Sequence, residues 1–211
     1  MRRLVAAGLI AAVALVASRA ADAGPPTDQL KSTIDRILSI LQDPALRAPG
    51  KVEERRLKIR EVADDVFDWT EIGKRALARH WEARSPQERE EFSKLFADLL
   101  ERSYVGKIEG YSGEKIVYDK ETIDGERAEV RTKLVTKAGT QIPIDYQMQK
   151  VGDRWRVYDV KIENVSLVGN YRSQFNRIIQ QSGYADLIQR LKSKKEELQF
   201  DEGGAGKAKK S

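Results

Sequence analysis

Residues 154–179 read RWRVYDVKIENVSLVGNYRSQFNRII, and the period of the apolar positions changes halfway along. Over 155–163, Trp, Val, Tyr and Ile alternate with Arg, Asp and Lys, the pattern of a half-buried strand. Leu167, Tyr171, Phe175 and Ile178 then follow at spacings of four, four and three, which puts them on one side of a helix. Asn164 or Ser166 is placed to cap that helix by accepting a backbone N–H bond. A strand running almost directly into a helix fixes how a sheet lies against a helical layer. Within the strand the alternation slips: Trp155 and Val157 share one parity, while Tyr158, Val160 and Ile162 share the other. A bulge near Tyr158 reconciles them, or the strand is buried on both faces.

Three more strand candidates precede this one, at 116–118, 128–136 and 141–150. The turn-forming pairs Asp124-Gly125, Ala138-Gly139 and Gly152-Asp153 join all four, and links this short predict antiparallel hairpins. Val130, Thr132 and Leu134 alternate, as do Ile142, Ile144, Tyr146 and Met148, so one face of the sheet is apolar.

Upstream of Gly110 the period is helical. Thr27 or Asp28 is a candidate cap for a helix with the stripe Leu30, Ile34, Ile37, Leu38 and Leu41, stopped by Asp43-Pro44. A loop over 45–50 leads to a charged helix with a thin stripe of Leu57, Ile59, Val62 and Val66. Asp68 or Thr70 restarts the chain through Ile72, Ala76 and Leu77 to Trp81. Ser85-Pro86-Gln87-Glu88 is a capping box with proline at the first helical position. It opens a helix carrying Phe92, Leu95, Phe96, Leu99 and Leu100 to Tyr104 or beyond. After the helix that begins at Leu167, Ser182-Gly183 breaks the pattern, and Leu187, Ile188 and Leu191 supply a last amphipathic turn or two. Together these predict an α+β fold: an antiparallel four-stranded sheet with helices packed on one face.

The ends of the chain are separate objects. Arg2 and Arg3, the apolar run over 4–17 and the small residues of Ala21-Asp22-Ala23 predict a secretory signal peptide at 1–23, because the run is too short to span a bilayer; cleavage after Ala20 is the other option. The expected domain is 24–200, and 201–211 has glycines, lysines and no period, as a disordered tail does. Removing the signal takes away Arg2, Arg3 and Arg19 against Asp22, so the formal charge falls from +5 to +3. The remaining charges are interleaved by sign, which argues against a nucleic-acid stripe. With 40% hydrophobic residues the chain can bury a core, and with no cysteine it has neither disulfides, nor a thiolate metal site, nor a lipid-modified cysteine.

Catalytic signatures are missing. No G-x-S-x-G, H-E-x-x-H or Gly-rich phosphate loop occurs. The single histidine, His80, sits beside Trp81 at a helix end with no nucleophile motif around it. An enzyme using His80 or a carboxylate buried in a pocket is one alternative reading, and a protein-interaction adaptor with a filled core is another. The aromatic residues, by contrast, occur in both layers, and they either close-pack or enclose an apolar cavity.

Three blocks carry a resemblance: DWTEIGKRALARHW at 68–81, SPQEREEFSKLFADLLERSY at 85–104 and YDVKIENVSLVGNYRSQF at 158–175. In this order, behind a signal peptide, they resemble the MlaC / toluene-tolerance family of periplasmic phospholipid-binding proteins, over roughly residues 30–191. The resemblance implies a curved sheet and helices enclosing an apolar pocket for acyl chains. It also implies a monomeric carrier, not an enzyme, that shuttles phospholipid between an inner-membrane ABC-transporter complex and an outer-membrane lipoprotein complex, with no cofactor beyond its cargo. By the same resemblance the apolar positions of these blocks line the pocket, here Ile72, Trp81, Phe96, Leu100, Tyr104, Val160, Leu167, Tyr171 and Phe175; Phe67, Val130, Leu134, Ile144, Tyr146, Met148, Trp155 and Val157 are expected to join them. Arg172 is the cation chosen for the phosphate.

Overall fold

In the computed structural model, which describes residues 24–193, side chains or prolines deal with unpaired backbone N–H groups at the start of every α-helix except the one that begins at Val52. The expected signal segment and tail lie outside the described residues. Helix α1, Pro25–Gln42, has prolines in its first turn, so Gly24 rather than Thr27 or Asp28 is its cap. Asp43 ends α1 and accepts from Ala45 N at 2.8 Å, so the expected loop begins with a helical turn, α2 (Pro44–Arg47). Helix α3, Val52–Val66, buries Ile59, Val62 and Val66. Leu57 was expected on the same stripe but is 60% exposed, since it stands about 200° around the helix from Ile59.

Asp68 caps α4, Trp69–Leu77, by accepting from Glu71 N at 3.0 Å. Helix α5, Pro86–Glu109, opens on the full capping box: Glu88 N donates to Ser85 Oγ at 3.2 Å, and Ser85 N to the Glu88 carboxylate at 2.7 Å.

The sheet is a meander in sequence order: β1 Lys115–Asp124, β2 Arg127–Val135, β3 Gln141–Val151, β4 Arg154–Ile162 and β5 Val165–Ser166. The fifth strand corrects the expected count of four. Glu163 (φ 50°) and Asn164 (φ 67°) both adopt left-handed backbone, which reverses the chain in two residues and lays Val165 and Ser166 against Ile162 and Lys161. Ser166 then caps α6, Leu167–Ser193, accepting from Gly169 N at 2.8 Å, while Asp159 accepts from Val168 N at 3.1 Å. Asn164 is spent on the turn. Gly183 (φ 84°) breaks α6 as expected, and the helix resumes to Ser193.

Tyr158 is the bulged residue. Pairing of β3 with β4 passes from Gln147↔Asp159 to Met148↔Val157, leaving Tyr158 without a partner. The slip in alternation is thereby resolved. Trp155, Val157, Val160 and Ile162 all face inward with Met148, Tyr146 and Ile144, and Tyr158 turns the other way, its ring 3.9 Å from the Arg75 guanidinium of α4.

Two separate apolar cores result. Leu30 of α1 and Val66 of α3 close over Ala128, Val130, Met148, Trp155 and Val157 at one end of the inner sheet face. The other core lies among α4, α5 and α6 and contains Ile72, Trp81, Phe92, Phe96, Tyr171, Phe175 and Leu187. Phe67, in the link between α3 and α4, packs against both. That link runs beside β4, with a bridge from Phe67 to Val157 and a 2.9 Å bond from Asp68 N to Val157 O. No helix among the described residues is long and apolar enough to cross a membrane.

Candidate functional site

The inner face of the sheet is closed at only one end. Pairing aligns Ile116 and Tyr118 of β1 with Leu134 and Thr132 of β2, Ile142 and Ile144 of β3, and Val160 and Ile162 of β4 on the same face. Of these, only Thr132 is buried; the others keep part of their surface accessible. Apolar rows on an inner face that retain surface are the candidate lining of a space between sheet and helices. Half-buried Leu100 and Tyr104 of α5 and Ile34 of α1 continue the same kind of lining. Helix α5 does not lie closely against any strand, so its half-buried apolar positions have no sheet packed over them.

Tyr146 marks the depth of this space. Burial alone pushes its phenol up to about 12, yet the side chain keeps accessible surface. The ring packs against the closed sheet core. Tyr118 is close enough to feel it: burial, and then the neighbouring Tyr146 and Asp35, raise its phenol.

The expected pocket residues fall into three groups. Val130, Met148, Trp155 and Val157 belong to the closed sheet core, Val157 with no exposed surface. Ile72, Trp81, Phe96, Tyr171 and Phe175 belong to the helical core. There Phe175 meets Phe92, Phe96 and Tyr171 at centroid distances of 5.6, 5.1 and 5.7 Å, and Leu167 is buried at the start of the same helix. Phe67, Leu100, Tyr104, Leu134, Ile144, Tyr146 and Val160 are half-buried: Leu100 packs against the helical core, Tyr146 and Val160 against the sheet core, and Phe67 against both. Tyr118, Ile116, Ile34 and Ile162 join this last group without having been among the expected residues. The alternation of Ile116 with Tyr118 was the available signal, but the charged stretch after Tyr118 hid how far β1 runs. Arg172 is exposed on α6.

The groups proposed for catalysis sit elsewhere. His80 Nε2 is 3.0 Å from Asn176 Oδ1, which also accepts from Arg79 at 2.7 Å. A buried carboxylate does exist, Asp145, raised by its burial and by the nearby charge of Glu129. It pairs across the sheet with Arg131 and Lys161, on the outer face, away from the apolar space. No cluster of potential metal ligands occurs among the described residues. A groove of about 660 Å³ between α1 and α3 is lined by the charged residues Asp28, Lys31, Asp35, Arg36, Lys58 and Glu61 together with Ile40 and Val62.

The fold defines a class: an α+β domain with a five-stranded antiparallel sheet and helices, whose sheet and helices carry half-buried apolar side chains. The sequence pattern of the MlaC protein family matches residues 31–193, and the chain belongs to that family. It is 25% identical over 138 residues to the intermembrane phospholipid transport system binding protein MlaC of Haemophilus influenzae, covering 62% of this chain and 64% of the relative. It is 24% identical over 127 residues to the toluene tolerance protein ttg2D of Pseudomonas putida, covering 59% of each. The chain thus spans roughly three fifths of the length of these curated relatives. Its fold matches that of a phospholipid-binding protein from Ralstonia solanacearum, solved in complex with a phospholipid, with a TM-score of 0.72 and 24% identity over 81% of this chain and 96% of that one.

Proposed function

We propose that this protein is a periplasmic phospholipid carrier that holds acyl chains in the space between its two apolar cores. The observation that carries the reading is the set of half-buried apolar side chains on the facing surfaces, with Tyr146 both desolvated and accessible. Leu100 and Tyr104 form one wall, and Tyr118, Leu134, Ile144, Tyr146 and Val160 the other, with Phe67 at the pivot. Tyr171 and Phe175 support the first wall from behind. Arg172 is the candidate contact for a phosphate left in solvent.

The energetics suit a carrier. Two acyl chains hold roughly 30 methylenes, and at about 0.8 kcal/mol each their complete transfer from water would contribute about 24 kcal/mol. That exceeds the ceiling of about 18–21 kcal/mol on net affinity, so ordering costs or partial exposure offset part of it. Release into water is then very slow, and transfer requires docking on a partner that opens the space beside another apolar site. An inner-membrane ABC-transporter complex and an outer-membrane lipoprotein complex are the partners this implies, with the protein itself monomeric, free of cofactors and non-enzymatic. The test is to incubate purified protein with phospholipid vesicles, separate the two by size, and measure phospholipid per protein. The carrier reading expects a fixed stoichiometric ratio; absence of uptake would overturn it.

A further inference from the structure

Across their open side the two cores are joined by charge. Arg55 of α3 donates to one oxygen of Glu109, at the end of α5, at 2.6 and 3.2 Å. Arg56 donates to the other oxygen at 2.9 and 3.3 Å. One turn further along α3, Arg60 bonds Asp98 at 3.0 Å and also Glu101, both on α5. The side chains of Arg55 and Glu109 are each only 15% exposed. Hydrogen bonding from Arg56 holds the Glu109 carboxyl below its ordinary range against the opposing effect of burial.

These charges are badly placed for their own helices. Glu109 is the last residue of α5, where the helix dipole disfavours a carboxylate. Arg55 and Arg56 stand near the N-terminus of α3, where it disfavours cations. Glu109 finds its ion-pair partners on α3 alone, whereas Arg56 also lies 3.9 Å from Glu53 and Arg55 also donates to the Leu46 carbonyl at 3.0 Å. On α5, Glu101, Val105 and Glu109 follow at spacings of four along one side of the helix, next to the half-buried Leu100 and Tyr104.

The two helices pack into different apolar cores. Helix α3 is tied to the sheet: Arg154 pairs with Asp65 at 2.8 Å, and Arg156 donates to the carbonyls of Asp64 and Asp65 at 3.2 and 3.3 Å. Helix α5 is tied to α4 and α6 through the aromatic core. Phe67 and Asp68 link α3 to the helical core, while residues 110–114 link the end of α5 to β1. Parting an apolar seam exposes apolar surface at each opening, whereas an ion-pair seam exchanges protein partners for water at a nearly balanced cost.

The geometry points to the α3–α5 seam as an ionic latch that parts, about a pivot at Phe67–Asp68, to admit and release acyl chains. The inference rests on the carrier reading above. Because the chain has no cysteine, Arg60→Cys with Glu101→Cys can be joined by a reductant-cleavable thiol cross-linker without competing sites. The readout is transfer of a fluorescent phosphatidylglycerol between donor and acceptor phosphatidylcholine vesicles. The cross-linked protein is expected to lose at least tenfold in transfer rate while keeping lipid bound beforehand, and reduction is expected to restore the rate. Glu109→Gln, checked for folding by thermal melting, is expected to transfer several-fold faster than wild type. Cross-linked protein transferring at the reduced rate, or Glu109→Gln at the wild-type rate, would overturn the latch while leaving the carrier reading standing. Wild-type protein that takes up no lipid would overturn both.

Discussion

Val160→Trp separates the space between the cores from the cores themselves. Val160 lies on the inner face of β4 opposite Tyr146 and keeps accessible surface, so on the carrier reading an indole there extends into the proposed space. It would occupy the volume of roughly four methylenes of cargo, and at about 0.8 kcal/mol each the loss of burial is about 3 kcal/mol, or roughly a hundredfold in affinity. Val157, three residues away, is the control. It has no exposed surface and packs in the closed core with Met148 and Trp155, so Val157→Trp should instead cost about 1–3 kcal/mol of stability through overpacking. Urea denaturation measures the second effect, and titration with vesicles carrying fluorescent phospholipid measures the first. If Val160→Trp unfolds as readily as Val157→Trp and binds lipid normally, the space assigned between the cores is packed protein and the reasoning is wrong.

Phe175→Ala removes a ring that touches three other aromatic rings in the helical core, and is expected to lower unfolding free energy by about 3–5 kcal/mol in urea titration. Ser85→Ala deletes half of the capping box and should cost about 1 kcal/mol by the same method. Burial pushes the Glu129 carboxyl up, but hydrogen bonds from Arg131, Gln147 and Lys161 outweigh this and bring it down to about 2. Its folded value thus lies below the ordinary value of about 4.3. The stability it contributes is present above that value and is lost as pH falls toward 2. Glu129→Gln should therefore flatten the fall in melting temperature between about pH 4 and pH 2 relative to wild type.

Most of the architecture was readable because local signals agreed with one another. The capping box at Ser85 predicts the start of α5, and the glycine turns at Gly125, Gly139 and Gly152, all with positive φ, predict the meander. Even the bulge at Tyr158 was visible as a slip in alternation. The fifth strand was not, because its turn is built from Glu163 and Asn164 without a glycine. Leu57 misled because a thin stripe on a charged helix leaves its phase ambiguous. The site was less legible, since periodicity separates inward from outward residues but does not distinguish a side chain packed in a core from one lining a space. Tyr171 and Tyr146 both face inward. One is sealed by Phe96 at a centroid distance of 5.2 Å, and the other opens toward the gap, a difference set by which helices lie over each end of the sheet.

The most direct measurement is native mass spectrometry of the protein purified from a periplasmic extract, followed by organic extraction and identification of whatever is bound. The account predicts a mass above that of the chain by one or a few phospholipid molecules, which vanishes on extraction and is recovered as intact phospholipid. A single species at the mass of the bare chain, unchanged after exposure to phospholipid vesicles, would contradict it.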